Sequence, residues 1–377
     1  MGYIKGEARG RQTLFPVALD DLIPADHFGR VIDSFVGRLD FQALGFERAE
    51  AAETGRPGYD PRDLMKLYLY GYLQQIRSSR RLEAECRGKV EVIWLLGRLA
   101  PDHKSIAEFR RLHRKALTEA GAESVRFARS VGLVRGEWVA IDGSKFQAVT
   151  SARSVAERES MKRYLDAVEA GDEQDELVID PGAVAAALEK LKSDAEPEAR
   201  FMRMGQGHGY QPAYNVQTAV DAEHALIMAH QVTTETNDQR SLLPMAEAAQ
   251  KALDEPPSLN VVADSGYSNA AQAEVCSACA LKSRCTQSPQ RYVYLHLQDA
   301  AMERAGQRAT AAVMRLRRCT VEHPFGTLKY RIFGNPRLLL RGVGGAQTEI
   351  SLGTMAYNLK RMINVLGGLK PAEVLQG

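Results

Sequence analysis

The first strand signal of this 377-residue chain follows a long helical segment near Glu137, and this change of hydrophobic period restricts the possible folds more than any other feature. Before Glu137, apolar residues recur at the spacing of amphipathic helices, as they do over residues 61–76. After it, short runs of β-branched and small apolar residues, beginning with VAID at 139–142, are typical of buried strands. The chain therefore predicts an all-α domain over residues 1–130 and an α/β domain over residues 131–377.

The predicted α/β domain alternates strands with helices. A helical insertion is expected at about 151–205, after the first strand. A shorter insertion at about 270–312 contains cysteines and precedes two helical segments. Residues 221–224 are expected to join two of the strands as a hairpin. The strand signals begin at Glu137, Tyr210, Ala225 and Leu259.

The composition is that of an ordinary globular protein. Hydrophobic residues make up 45% of the chain and charged residues 25%, which argues against a disordered or collagen-like protein. No apolar run approaches the roughly 20 residues of a membrane helix. The first twenty residues contain charges and a proline where a signal peptide needs a continuous apolar stretch. We therefore expect a cytoplasmic protein that has no membrane partner.

The net charge of +2 conceals an uneven distribution of charge. Residues 77–115 carry eleven Lys and Arg against five acids, and residues 315–341 carry seven against one. Residues 166–180, by contrast, carry seven acids and no Lys or Arg. Two basic blocks separated by an acidic one indicate a polyanionic partner that is contacted at defined places. Candidate DNA-binding residues in the first block are Arg80, Arg81, Arg110, Arg111 and Arg114, although a solvated helix face would explain the same pattern.

Two acids stand at the ends of predicted strands, Asp142 after VAI and Asp264 after VVA. A charge at such a position costs several kcal/mol unless it is paired or bound to a cation. A glycine follows each acid within two residues, so an ordinary strand-ending turn explains either of them alone. Both acids are therefore candidates for a metal site, with the turn as the alternative.

A third candidate acid is Glu322, which is the only acid within the basic block 315–341. Arg318 and Lys329 lie four residues before it and seven after it, on the same face of a predicted helix. Salt bridges on an exposed helix would explain this spacing. They do not explain why Pro324 interrupts the helix beside Glu322, which favours a functional role.

Four motifs in order resemble those of DDE transposases from bacterial insertion sequences. Arg318, Glu322 and Lys329 also fit the R-x3-E-x6-K part of that family's signature, while Arg315 stands where the signature often has Tyr. The resemblance extends over nearly the whole chain. It implies a ribonuclease H-like α/β catalytic core, with a mixed sheet flanked by helices, preceded by an all-α N-terminal domain. The motifs are GRPGYDPRDLMKLYLYGYLQQIRSSRRLEAECR, VAIDGSKF, VVADSGYS and RCTVEHPFGTLKYRIFG.

The resemblance implies metal-dependent cleavage and strand transfer of DNA. Two Mg²⁺ or Mn²⁺ ions would stabilise the attacking and leaving oxygens of an in-line displacement. Asp142 would bridge both ions, Asp264 would hold one and Glu322 the other. The partners would be the element's terminal inverted repeats and target DNA, bound by a homodimer in the synaptic complex. The implied DNA contacts in the catalytic domain are Lys145, Arg318, Lys329 and Arg331.

Three cysteines have a spacing that is typical of zinc ligands. Cys276, Cys279 and Cys285 have the spacing C-x2-C-x5-C, but a structural zinc site needs four ligands. Cys319 or His296 would have to supply the fourth. Three thiols without a metal are the alternative.

The segment after Asp264 is shorter than the family pattern. Only ten residues separate Asp264 from Val275, which leaves no obvious place for a fifth strand of a ribonuclease H-like sheet. Residues 292–297, YVYLHL, could replace that strand or form a hairpin arm of the insertion. One alternative function is therefore that of an internally deleted, inactive remnant that only binds DNA. Another is that of a metal-dependent nuclease without strand transfer.

Overall fold

The computed structural model describes residues 18–50, 58–172, 180–205, 209–256, 259–264, 267, 270–274, 292–296 and 306–367. The N-terminal region is helical, as predicted. Its second helix begins at Pro61, where the side chain of Asp60 accepts a hydrogen bond from the backbone N–H of Arg62. After a short 3₁₀ turn at Leu19–Leu22, the helices are α1 (Phe28–Arg38), α2 (Pro61–Leu73), α3 (Ser79–Gly88), α4 (Val90–Leu95), α5 (His103–Leu112) and α6 (Arg114–Ser130).

The C-terminal region is built on a mixed five-stranded sheet. Its strands are β1 (Trp138–Gln147), β2 (Arg200–Arg203), β3 (Tyr210–Asp221), β4 (Ile227–Thr233) and β5 (Asn260–Val262). β1 is central and pairs antiparallel with β3 and parallel with β5, while β2 and β4 both pair with the other edge of β3. The accompanying helices are α7 (Ala152–Asp172), α8 (Pro181–Lys192), α9 (Leu242–Ala252), α10 (Ala311–Thr327) and α11 (Gly342–Leu366). The predicted fold class is confirmed.

Two details of the predicted elements are wrong. β1 does not end in a turn at Asp142, because the strand continues through Gly143, which pairs with Gln217 of β3. The insertion at 151–205 is not helical throughout, since its last part forms β2 along the start of β3. In both places, pairing with β3 determines the backbone conformation and overrides the local signal.

A second, two-stranded sheet consists of β6 (Ala270–Glu274) and β7 (Tyr292–His296), which pair antiparallel with each other. The YVYLH part of this segment thus pairs in a separate hairpin arm and, among the described residues, adds no strand to the main sheet. Within the described residues, β5 is the edge of the main sheet.

The hydrophobic core is continuous across the predicted domain boundary near residue 130. Helix α11 makes this continuity possible because it packs against α2 and α6 on one side and against β4 on another. The buried Asn358 of α11 accepts a hydrogen bond from the backbone N–H of Ile227 and donates one to the carbonyl oxygen of the same residue. None of the helices in the described part of the chain is both long and apolar enough to cross a membrane.

A buried ion pair also joins the two regions. Nη1 of Arg77, between α2 and α3, lies 3.1 Å from Oε2 of Glu349 on α11. The other carboxylate oxygen of Glu349 accepts hydrogen bonds from the backbone N–H groups of Leu339 and Leu340. Burial raises the pKa of Glu349, and the nearby guanidinium groups oppose this effect. Glu349 therefore fixes the N-terminal region and the 333–341 loop to the same helix.

The buried His230 of β4 is expected to make the stability pH-dependent. Its Nε2 lies 2.9 Å from the hydroxyl oxygen of Ser351 on α11, and burial lowers its pKa from 6.5 to about 4. Between these values the unfolded chain binds a proton that the folded protein does not, so stability falls as the pH decreases from 6.5 towards 4. In the variant His230→Gln, the dependence of the free energy of unfolding on pH should be weaker by up to about 1 kcal/mol per pH unit. Denaturant unfolding from about pH 7 to about pH 5 tests the difference, and equal slopes for both proteins would contradict it.

Candidate active site

The sheet brings Asp142 and Asp264 to one place. Ala140 of β1 pairs with Val262 of the parallel neighbour β5, and each acid lies two residues beyond this pair. Since side chains alternate along a strand, each acid is on the same face as the apolar residue two positions before it. Val321 of α10 packs against both apolar residues, which places α10 over β1 and the end of β5.

Arg317 of α10 connects the two acids. Its Nη2 donates to Oδ1 of Asp142 at 3.0 Å and to Oδ2 of Asp264 at 3.3 Å. Because one nitrogen makes both contacts, the two carboxylates lie close together around a single cationic group. The sequence analysis did not identify Arg317. Its only distinguishing signal is that it lies four residues before the buried Val321, which places the two on the same face of α10, whereas its neighbour Arg318 lies on another face.

The electrostatics of Asp142 are dominated by burial. Its pKa is raised to about 6, with desolvation as the largest cause; the positive charge of Arg317 opposes the rise, and the negative charges of Asp264 and Asp238 add to it. A carboxylate in such surroundings is stabilised in its charged form by a cation. The pair of aspartates therefore has the donor chemistry of a site for a hard divalent metal ion.

Glu322 does not join this pair. Its side chain is exposed, and it forms no hydrogen bond or ion pair with any residue that the structure describes. The described ranges also contain no group of three or more His, Cys, Asp or Glu side chains arranged to hold a metal ion. Of the three predicted carboxylate ligands, the structure brings two together and leaves Glu322 on the solvent side of α10.

Lys329 lies on the Asp142 side of β1. It belongs to a π-helical turn, Leu328–Ile332, that continues α10, and its Nζ donates to the hydroxyl oxygen of Ser144 at 2.6 Å. The ammonium group also lies 5.3 Å from the centre of the Phe146 ring. Burial lowers the pKa of Lys329, the charge of Lys145 lowers it further, and Asp142 opposes both effects. Two further candidates for DNA contact, Arg318 and Arg331, are exposed.

Lys145 is held by an acid that sequence reasoning missed. Its Nζ lies 3.2 Å from Oδ1 of Asp238, and the side-chain amides of Asn215 and Gln217 donate to the same oxygen at 2.7 Å each. Tyr267 in turn donates its hydroxyl hydrogen to Gln217, at 2.5 Å. Asp238 lies in the polar loop before α9, where no hydrophobic period marks it. Lys145 therefore belongs to a polar network beside Asp142.

Gly143 allows this network to approach β1. A methyl group in place of its α-hydrogen would lie 2.6 Å from Oδ1 of Asp238 and would also meet the Gln217 amide. The glycine after Asp142 is therefore explained by close packing of neighbouring side chains, and the predicted turn has no part in it.

The basic residues of the N-terminal block differ in exposure. Arg80, Arg81 and Arg114 are exposed, and Arg111 is exposed but paired with Glu108. Arg110 is only 7% exposed, because its guanidinium lies over the ring of Tyr68 and against the backbone of Arg77. The interpretation of Arg110 as a DNA contact is corrected accordingly. Three cysteines proposed for zinc lie outside the described residues: Cys276, Cys279 and Cys285.

The mixed sheet flanked by helices, preceded by a helical N-terminal region, places the protein in the ribonuclease H-like fold class. A family model described as "Transposase DDE domain" matches residues 140–359, and one described as "Transposase domain (DUF772)" matches residues 17–112. The first of these covers more than half of the chain, and the chain belongs to the DDE transposase family. Neither a curated protein nor a solved structure matches the chain.

DDE transposases generally use divalent metal ions. Asp142 and Asp264 fit this requirement, because both are oxygen donors and already share a cationic partner. The donor set within the described residues is two carboxylates rather than the three that the family signature suggests.

Proposed function

We propose that this protein is a transposase that cleaves DNA at the ends of an insertion sequence and joins the freed 3′ ends to target DNA, with Mg²⁺ or Mn²⁺ as cofactor. The observation that carries the proposal is the convergence of Asp142 and Asp264 on one cationic group under α10. Membership of the DDE transposase family supports it independently.

Each residue of the site would have a different role in the reaction. Asp142 and Asp264 would hold a divalent ion, which supplies electrostatic stabilisation of the attacking and leaving oxygens when it is bound. Lys329, whose ammonium lies beside Ser144 on the Asp142 face, would contact a backbone phosphate near the reacting bond. The exposed Arg318 and Arg331 would extend this contact along the same helix.

The terminal inverted repeats would be bound by the exposed basic residues of the N-terminal helices, Arg80, Arg81, Arg111 and Arg114. Joining both ends of an element requires that the two ends be held together, so we expect a homodimer in the synaptic complex.

A second candidate function is supported by Glu322. Its exposed position, together with the short segment after Asp264, fits an inactive remnant that binds DNA without cutting it. A third possibility, a nuclease that hydrolyses DNA without joining it, uses the same two aspartates.

Product analysis separates these functions. The substrate is a linear DNA that contains the coding sequence and its natural flanks, incubated with the full chain and either Mg²⁺ or Mn²⁺. Sequencing of new junctions should find element 3′ ends joined to target DNA, with no junctions when EDTA is present. Cut ends without junctions would indicate the nuclease, and DNA binding without cutting would indicate the remnant.

A further inference from the structure

We infer that the Arg317 guanidinium and the catalytic divalent ion compete for the same position between Asp142 and Asp264, so that metal binding displaces Arg317. The inference rests on the proposed function, because it concerns the metal of that reaction. It adds a residue that the family signature does not include.

The geometry places Arg317 where the ion would bind. One nitrogen lies 3.0 Å from Oδ1 of Asp142 and 3.3 Å from Oδ2 of Asp264. A divalent ion held by both carboxylates would take the place between them that this nitrogen now occupies. Two positive charges at such close range repel each other strongly in a partly buried site. The two cations are therefore alternatives.

The guanidinium is held in a way that permits its release. Arginine–carboxylate pairs are frequently bidentate, with two parallel hydrogen bonds that hold the guanidinium in place. Arg317 instead uses Nη2 for both contacts, and its buried Nε has no hydrogen-bond partner in the described part of the chain. An unsatisfied buried donor disfavours this position of the side chain. Departure from the aspartates would allow Nε to be solvated.

The rest of α10 need not move. Val321 fixes the helix over β1 and β5 through apolar contacts with Ala140 and Val262. The long arginine side chain alone can change rotamer while this packing persists. In the metal-free protein Arg317 thus neutralises two acids that would otherwise repel each other.

The test measures Mn²⁺ binding to the full chain by electron paramagnetic resonance, without DNA and after treatment with a chelator. Arg317→Gln removes the competing charge and should tighten Mn²⁺ binding by at least about tenfold. Arg315→Gln makes the same change at an exposed position of α10 and should leave the affinity within about twofold. Asp142→Asn should weaken binding, which would locate the measured ion at this site.

A second measurement uses the unmodified chain, in case Arg317→Gln does not fold. Phenylglyoxal modifies accessible arginines, and Arg317 is only 11% exposed in its side chain. Addition of Mg²⁺ should increase modification of the peptide that contains Arg317, as read by mass spectrometry. Unchanged or reduced modification would overturn the inference.

The outcomes distinguish the inference from the proposed function. Mn²⁺ binding that depends on Asp142 but is unchanged or weakened by Arg317→Gln would overturn the competition and leave the transposase proposal intact. Failure of every protein to bind Mn²⁺ would overturn both.

Discussion

Asp142→Asn is expected to abolish DNA cleavage and joining while the protein stays folded. Asparagine keeps the shape of the side chain but removes the charge that would hold a divalent ion, so the rate should fall at least about 1000-fold. The fold should persist, because the change removes a partly desolvated charge and Arg317 retains its contact with Asp264. Cleavage of flank-containing DNA and thermal unfolding of the same preparation measure the two effects.

A suitable control is Asp26→Asn, which makes the same chemical change at an exposed position before α1. It should leave both cleavage and the unfolding temperature unchanged. Metal-dependent cleavage by pure Asp142→Asn protein would remove Asp142 from the site. A large drop in its unfolding temperature would show that the acid is structural.

Glu349→Ala is expected to destabilise the protein by about 3–5 kcal/mol, the usual cost of breaking a buried ion pair from one side. The side chain of Glu349 is fully buried and that of Arg77 is 6% exposed, so the change leaves a guanidinium without its counter-charge. It also removes the acceptor for two backbone N–H groups of the 333–341 loop. Denaturant unfolding measures the loss.

A double replacement separates the charge from the packing. Arg77→Met combined with Glu349→Leu replaces both ions by apolar side chains and should be more stable than Glu349→Ala alone. Ion pairs nearer the surface provide the contrast: Glu157, which Arg153 of α7 and Lys190 of α8 contact, should tolerate change to Ala with little effect on stability. If Glu349→Ala and Glu157→Ala lowered the free energy of unfolding equally, burial would not determine how much an ion pair contributes to stability.

Local chemistry made much of this fold predictable. A proline one residue after a capping aspartate marks the start of α2, and the change to β-branched residues after Glu137 marks β1. Asp142 and Asp264 were identified because an acid after an apolar strand is costly without a cation. Their proximity then follows from parallel pairing of the two strands.

Features that depend on distant partners were not predictable. In the segment RLRR at 315–318, only the four-residue spacing to Val321 distinguishes Arg317, which is buried, from Arg318, which faces solvent. Asp238 is distant from Lys145 in the sequence, and the two make contact only because β1 pairs with β3. Arg110 resembles a surface arginine until Tyr68 of α2 and the backbone of Arg77 cover it. In each case tertiary packing decides what a local pattern leaves open.

The position of α11 limits how a transposase of this design can be altered. Because α11 packs against both the N-terminal helices and β4, recombination could not exchange helices α1–α6 independently of α11. A chimera that takes this region from a relative must take the matching face of α11 with it. If the N-terminal helices bind the element ends as proposed, new end specificity would be more accessible by changing exposed side chains, such as Arg80 and Arg81, than by replacing the whole helical region.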